Sequence, residues 1–249
     1  MFLSISPPSS AKVWVVGDIH GCLGELNSLL SFLEQSGELL PTDVIVFLGD
    51  YIDRGKDSRG VIERLLELSS RIPQTYFIKG NHEEMFASFI DGASSSNRYL
   101  ECGGLECIQS YGGTGNEDIN NRKSLIPASH LHFLKELHIG VLVDNFLLVH
   151  AGIDPSCSLE QQTEDKILWI RDEFLNRETI INQTVVFGHT PMEEIFLDLP
   201  WKIGIDTGLV FGYKLTALEL RSMSVLQIKK GESLPKRSQI AEINKGQAK

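Results

Sequence analysis

Apolar residues along the chain form short runs, and several of these runs end in a polar side chain. VVGDIHG (Val15–Gly21) passes from a strand-like pattern into Asp18 and His20, which are costly to bury without a partner. The same ending recurs in VIVFLGD, YFIKGNH, LLVHAG and VVFGHT, which begin at residues 44, 76, 147 and 185. One such ending is typical of a plain turn, but five of them predict a shared site.

The first half of the chain alternates between strand-like and helix-like patterns. The predicted strands are Lys12–Gly17, Val44–Gly49 and Thr75–Lys79, and the predicted helices between them are Leu23–Gln35 and Ser58–Arg71. This alternation predicts βαβ units and a parallel sheet, and therefore an α/β fold. Ligands bind at the carboxyl ends of such strands, so we expect the polar endings to lie side by side.

The middle of the chain is irregular. Helical patterns occur around Glu83–Ile90 and Ser129–Leu137, and loop signals such as YGGTGNED lie between them. We expect this region to be an insertion that shapes the substrate side of the site.

Short strand-like runs dominate from Gly140 onward and predict a second, mixed sheet. They are Val141–Asp144, Phe146–Val149, Thr184–Phe187, Trp201–Ile205, Lys214–Leu220 and Ser224–Lys229. We expect a single domain over residues 12–230, an N-terminal extension over 1–11, and a polar, frayed tail over 231–249.

Composition narrows the class of protein. The chain has 249 residues, a net charge of −10, 42% hydrophobic and 22% charged residues, which is ordinary for a globular protein. No apolar run approaches the roughly 18 residues of a membrane span, and the start lacks a signal-peptide pattern, so we expect a cytoplasmic protein without a membrane partner. The acidic balance argues against nucleic acid as a partner. Cys22, Cys102, Cys107 and Cys157 lack CxxC spacing and predict free thiols.

The polar side chains at the strand ends form an oxygen and nitrogen donor set. Such a set suits manganese, iron or zinc rather than a structural zinc held by thiolates. Two cations roughly 3.5–4 Å apart can hold a hydroxide and neutralise phosphoryl oxygens, which predicts hydrolysis of phosphate esters. Six side chains are enough for two ions if one carboxylate bridges them, and Asp50 is our candidate for the bridge. The candidate ligands are Asp18, His20, Asp50, Asn81, His150 and His189.

Five motifs resemble the phosphoprotein phosphatase family of metallophosphoesterases, especially its small bacterial and phage-type serine/threonine protein phosphatases. They are GDIHG (Gly17–Gly21), GDYIDRG (Gly49–Gly55), GNHE (Gly80–Glu83), HAG (His150–Gly152) and GHT (Gly188–Thr190). The resemblance spans about residues 13 to 220. It implies a calcineurin-like metallophosphoesterase fold, with two mixed β-sheets packed face to face and flanking helices.

The resemblance also implies a function and a distribution of the ligands. One metal is expected on Asp18, His20 and Asp50, and the other on Asp50, Asn81, His150 and His189. We expect two divalent cations, Mn²⁺ first, with Fe or Zn as alternatives. The expected activity is removal of phosphate from phosphoserine or phosphothreonine proteins, with phosphotyrosine also open, by direct attack of a metal-bridging hydroxide. We expect a free-standing catalytic domain that requires no regulatory subunit.

Further roles follow from the same resemblance. His82 resembles the general acid of the family and Asp53 its partner, and a carboxylate does hold an imidazole protonated for that task. A third metal ligand is the alternative for His82. Arg54 and Arg171 resemble the arginines that bind phosphate, a role suited to the forked guanidinium donors, and Asn81 is expected to contact phosphate as well as metal.

Other phosphate chemistries lack the residues that they require. No cysteine is followed six residues later by arginine, no two aspartates lie two apart, and no G-x-x-x-x-G-K-[ST] occurs. Two alternatives stay open. A symmetrical diadenosine tetraphosphate hydrolase would keep the metal ligands, although Asp53 and Glu83 depart from the pattern of such enzymes. A non-catalytic scaffold that binds phosphoproteins is the other.

Overall fold

The protein was analysed as a computed structural model, which describes residues 2–92 and 96–247. The strands are β1 (Leu3–Ile5), β2 (Val13–Val16), β3 (Val44–Phe47), β4 (Thr75–Phe77), β5 (Gly140–Val143), β6 (Phe146–Val149), β7 (Thr184–Phe187), β8 (Phe196–Asp198), β9 (Lys202–Gly204), β10 (Lys214–Glu219), β11 (Ser224–Lys229) and β12 (Lys236–Gln239).

The helices are α1 (Leu23–Gln35), α2 (Ser58–Arg71), α3 (Asn81–Ile90), α4 (Ser96–Tyr99), α5 (Leu105–Ser110), α6 (Ile119–Leu125), α7 (Ala128–Lys135), α8 (Glu164–Trp169), α9 (Asp172–Leu175) and α10 (Ile240–Gln247). A π-helical turn, Leu100–Gly104, joins α4 to α5, and short 3₁₀ turns cover Leu159–Gln161 and Leu209–Phe211.

The strands form two six-stranded mixed sheets. The strand order is β12-β11-β10-β2-β3-β4 in the first sheet and β1-β5-β6-β7-β9-β8 in the second. In the first sheet β2, β3 and β4 are parallel, while β10 runs antiparallel to β2 with Ala217 opposite Val16. The expected α/β fold with two mixed sheets is confirmed.

Side chains that alternate along the central strands pack into two different cores, one between the sheets and one against the helices. Val13 and Val15 of β2 lie in the core shared by the two sheets, whereas Trp14 and Val16 point to the other face and pack in the core of α1 and α2. Phe174 of α9 belongs to a third core, on the outer face of the second sheet. Both faces of the central strands are therefore buried, which explains their continuous apolar sequences.

The structure corrects the predicted placement of the later strands. We expected every run after Gly140 to enter the second sheet, and this is wrong for β10 and β11, which complete the first sheet. The reason is the pairing of β10 along the free edge of β2, which no local pattern encodes.

Segments near both termini of the described residues are part of the domain. Leu3 of β1 pairs with Val141 of β5, so the expected N-terminal extension adds a strand to the second sheet. The frayed tail that we expected from Gly231 is also wrong, because β12 pairs with β11 and Ile240 of α10 is buried in the core between the sheets. Across 2–92 and 96–247, none of the helices has the length and apolar character to span a membrane.

Candidate metal centre

The chain turns sharply after several strands, at the positions of the candidate ligands. His20, Asp50 and His189 have φ values of +46°, +50° and +64°, in the left-handed region that non-glycine residues rarely adopt. Gly49, with φ of +104°, precedes Asp50, and a Cβ there would lie 2.6 Å from the backbone nitrogen of Gly80. These turns aim the side chains into one place.

Two groups of side chains, each with ligand atoms within 4.8 Å of one another, meet at Asp50. One contains His20, Asp50 and His82, and the other contains Asp50, His150 and His189. Asp50 Oδ2 lies 3.4 Å from His20 Nε2, and Asp50 Oδ1 lies 3.4 Å from His150 Nε2. One carboxylate thus faces both groups, which is the arrangement that a bridging ligand requires.

The hydrogen bonds of two histidine rings leave a nitrogen lone pair free to bind a cation. Nδ1 of His150 lies 2.9 Å from the carbonyl oxygen of Leu48, and Nδ1 of His20 lies 2.9 Å from that of Ile52. Because a carbonyl only accepts, Nδ1 carries the proton and Nε2 offers a lone pair. The His150 lone pair faces Oδ1 of Asn81 at 3.0 Å. A metal ion between these donors would satisfy both.

Burial sets the charge of the site. It lowers the pKa of His189 to about 2 and that of His20 to about 3, so both rings are neutral, as a metal ligand must be. Burial, with the charges of Asp206 and Asp50, raises the pKa of Asp18 well above its usual value. Nε2 of His189 is buried without a hydrogen-bond partner among the described residues. Together these features fit divalent cations held by oxygen and nitrogen donors.

Asp18 is tied to the second group through the backbone. Its carboxylate oxygens accept from the His189 N–H at 3.0 and 3.3 Å, and Gly188 leaves room for them, since a Cβ there would collide with Oδ1. The structure thus brings together all six side chains predicted as metal ligands.

The predicted acid pair is present and buried. Nδ1 of His82 lies 2.7 Å from Oδ2 of Asp53, and both side chains are almost fully excluded from solvent. Burial alone would lower the pKa of His82, but the carboxylates of Asp50 and Asp53 outweigh it and raise that pKa above its usual value. Nε2 of His82 lies 4.0 Å from Oδ2 of Asp50, at the edge of the metal cluster.

The two predicted phosphate-binding arginines differ in environment. Nη2 of Arg54 lies 3.2 Å from Nε2 of His82, and its guanidinium lies 5.2 Å from the ring centre of the exposed Phe211. Arg171 is exposed, but its charge reaches the centre: burial lowers the pKa of His189 most, and Arg171 lowers it further.

Sequence reasoning gave no role to Glu83, which organises the loops of the site. Its carboxylate accepts from the N–H groups of Asp50, Tyr51 and Gly80, each at 2.9 Å. Burial and the charge of Asp50 raise the pKa of Glu83 to about 8, while these donors favour the ionised form. The GNHE motif contained a signal for this role. Glu83 is the third residue of α3, where a glutamate often caps the helix, and it does so here through Gly80.

Three other residues beside the centre were missed or left unassigned. Tyr99 donates its hydroxyl to Oδ1 of Asp53 at 2.6 Å, and Trp169 donates its indole N–H to Glu84 at 2.8 Å. Burial raises the pKa of Asp206, which is nearly inaccessible, to about 6. No spacing pattern linked these residues to the motifs.

Two cavities lie against side chains that contact the acid pair. A cavity of about 410 Å³ is lined by Tyr99 and Trp169 among others, and one of about 570 Å³ by Arg54, Lys56 and Lys230 among others.

The paired sheets and the histidine–carboxylate clusters at their strand ends define a metal-dependent phosphoesterase. The sequence comparison agrees, since residues 11–220 match the model of the calcineurin-like phosphoesterases. The chain belongs to the calcineurin-like phosphoesterase family, whose members use a dinuclear metal centre.

Two relatives with different named activities are similar to this chain over most of its length. The asymmetrical bis(5'-nucleosyl)-tetraphosphatase PrpE of Oceanobacillus iheyensis is 32% identical over 226 residues, covering 83% of this chain and 87% of that protein. Serine/threonine-protein phosphatase 1 of Salmonella typhimurium is 30% identical over 213 residues, covering 84% and 92%. This second match confirms the resemblance to the phosphoprotein phosphatases.

The fold is also found among solved structures. The cold-active protein-tyrosine phosphatase of a psychrophilic Shewanella species aligns over 96% of this chain and 82% of its own, with a TM-score of 0.62 and 18% identity. At that identity the match supports the fold alone.

Proposed function

We propose that this phosphoesterase removes phosphate from phosphoserine and phosphothreonine in proteins, with phosphotyrosine as a further substrate. The observation that carries the proposal is the buried Asp53–His82 pair, 2.7 Å apart, beside the metal cluster. The leaving alkoxide of serine is a strong base and needs a proton, which such a pair can deliver.

Each candidate side chain has a task in this reaction. Two divalent cations, Mn²⁺ first in our proposal, would supply Lewis acidity and an activated water when bound by the six ligands. Arg54 and Arg171 bind the phosphoryl oxygens, and Asn81 contacts both metal and phosphate. Asp53 orients the His82 ring, which gives a proton to the departing oxygen.

The contact between Arg54 and His82 suggests how His82 becomes protonated for its role as general acid. Arg54 can only donate, so its 3.2 Å contact requires the unprotonated Nε2 of His82. Asp50 and Asp53 instead favour the protonated ring. A phosphate dianion draws the Arg54 guanidinium to itself, which frees Nε2 to take up a proton from water; His82 then passes this proton to the leaving group.

A dinucleoside tetraphosphate is the second candidate substrate. The PrpE relatives carry that activity in their name, in the asymmetrical form rather than the symmetrical form that we first considered. Lys56 and Lys230 line the cavity beside Arg54, where further phosphates of such a chain could bind. The acid pair weighs against this substrate, because a phosphoanhydride has a better leaving group and needs less protonation.

The test is a direct comparison of substrates. Purified, Mn²⁺-loaded protein is given a phosphoserine peptide or diadenosine tetraphosphate, and kcat/KM is compared, with His150→Ala as the inactive control. We expect the peptide to be preferred, and metal analysis of both proteins to show loss of metal in the variant.

The other outcomes are equally informative. Preference for the dinucleotide would contradict the proposal and favour a tetraphosphatase. Activity on neither substrate, with metal bound, would favour the scaffold alternative, for which Asp18→Asn would leave phosphoprotein binding unchanged.

A further inference from the structure

We propose that Tyr99 is a positioning residue for the general acid, His82. Its hydroxyl holds Asp53 in place, and Asp53 in turn orients the His82 ring. The inference rests on the proposed phosphoester hydrolysis, and it names a residue outside the five motifs. It comes from the Tyr99 hydroxyl and the Asp53 carboxylate, which are 46 residues apart in sequence and 2.6 Å apart in space.

The Asp53 carboxylate has one fixed partner for each oxygen. Oδ1 accepts from the Tyr99 hydroxyl at 2.6 Å, and Oδ2 contacts Nδ1 of His82 at 2.7 Å. The Asp53 N–H donates to the Ser58 hydroxyl at 3.0 Å, which fixes the backbone as well. Because Asp53 is fully buried, water cannot replace the Tyr99 donor, and an oxygen left without it would draw the carboxylate away from His82.

Tyr99 is itself held rigidly. Its ring lies 4.8 Å from that of Phe89 and 6.0 Å from that of Phe86, both on the inner side of α3. Gly104 gives the ring its space, since a Cβ there would collide with it. A side chain packed in this way has few alternative rotamers, so its hydroxyl stays aimed at Asp53.

The same segment also holds the phosphate-binding arginine. The backbone N–H of Arg54 donates to the carbonyl of Gly103 at 2.8 Å, and Gly103 has φ of +102°. The π-helical turn that follows Tyr99 therefore lies directly on the Asp53–Arg54 turn. This explains why an insertion between the motif-bearing strands contributes to the site.

The experiment removes only the hydroxyl. Tyr99→Phe is compared with the wild type, with His82→Asn and with the double variant, on a phosphoserine peptide and on aryl phosphates of decreasing leaving-group pKa. Tyr111→Phe is the matched control, because its buried hydroxyl likewise bonds to a buried side chain, His130 at 2.9 Å, but away from the site.

We expect Tyr99→Phe to lower kcat on the peptide about tenfold, the scale of one lost hydrogen bond to a charged group. On p-nitrophenyl phosphate, whose leaving group needs little protonation, the loss should be less than about twofold. The double variant should be no slower than His82→Asn alone, and Tyr111→Phe should match the wild type. Phe89→Leu, which loosens the Tyr99 ring but keeps the hydroxyl, should show a weaker form of the same leaving-group dependence.

Equal losses on every substrate, or losses that multiply in the double variant, would show that Tyr99 only supports the fold and would overturn the inference. If His82→Asn itself lacked leaving-group dependence, the acid role and the inference would both fail. If the peptide were not hydrolysed while aryl phosphates kept the dependence, only the proposed protein substrate would fail.

Discussion

Three of the candidate metal ligands and two of their neighbours occupy backbone conformations that L-amino acids avoid. Besides His20, Asp50 and His189, the neighbours Asp53 and Arg54 have φ of +70° and +65°. Each such residue costs about 1 kcal/mol or more, and it persists only where surrounding contacts enforce it. Glu83 supplies such a contact to the Asp50 N–H and also holds the neighbouring Tyr51 and Gly80.

Glu83→Gln should therefore disturb both stability and the metals. The amide would present N–H groups to backbone N–H donors, and we expect the free energy of unfolding to fall by about 2–4 kcal/mol. Metal affinity should fall roughly 10- to 100-fold, the scale seen when a partner of a ligand is lost. Urea unfolding of the metal-free protein and metal titration measure the two effects.

The adjacent Glu84→Gln is the control, because Glu84 is half-buried and accepts from the Trp169 indole. A Glu83→Gln protein as stable as the wild type would mean that Glu83 is protonated in the fold, as its burial favours.

Among the secondary-structure elements, β10 lies in a different sheet from the one that the sequence pattern predicted. Its last residue, Glu219, accepts from the Val13 N–H of β2 at 3.0 Å and from the N–H and hydroxyl of Ser222 at 2.7 and 2.6 Å. Burial alone would raise the pKa of Glu219, but these donors outweigh it and the pKa lies below its usual value. The carboxylate thus fastens the β10–β11 turn to β2.

The stability that Glu219 contributes should depend on pH. Because its pKa is lower in the folded state, the contribution is complete above the unfolded value of about 4.5 and is lost as pH falls through the folded value. Glu219→Gln should lower the free energy of unfolding by about 1–2 kcal/mol at pH 7. The difference from the wild type should shrink below pH 4.5.

Urea unfolding at several pH values measures this dependence, with the exposed Glu63→Gln as a control expected to show no change. A difference that grew towards low pH would contradict the assignment.

Prediction from sequence succeeded where the information is local. The limits of α1 and α2 were predicted residue for residue, because apolar periodicity and turn residues mark them. The clustering of the six predicted ligands could be anticipated because each closely follows a strand of the sequence pattern. The pairing of β10 with β2 and of Tyr99 with Asp53 joins distant segments, and neither leaves a repeating pattern in the sequence.

At the scale of the whole molecule, α10 packs against both sheets through a few contacts. Ile240 of α10 is 3% exposed in the core between the sheets, and the side-chain amide of Gln247 donates to the Ile195 carbonyl at 2.7 Å. Ile240→Ala should lower the free energy of unfolding by about 2–4 kcal/mol, the usual effect of emptying a buried site. With the six ligands intact, activity on p-nitrophenyl phosphate at low temperature should be kept.

Urea unfolding and this assay test the prediction together. Ile180→Ala, at a side chain that is 64% exposed, should leave stability almost unchanged. If the two variants were equally stable, the C-terminal segment would be dispensable for stability, as the expectation of a frayed tail implied.

The position of β10 between β2 and β11 has a consequence for synthesis. A chain made from its N-terminus completes β2 and β3 long before residues 214–219 exist, so the apolar sequence VWVV presents an open edge to other nascent chains. A fragment that stops at residue 213 contains every candidate metal ligand, yet this edge would stay open. We therefore expect it to aggregate on release rather than to act as a smaller enzyme.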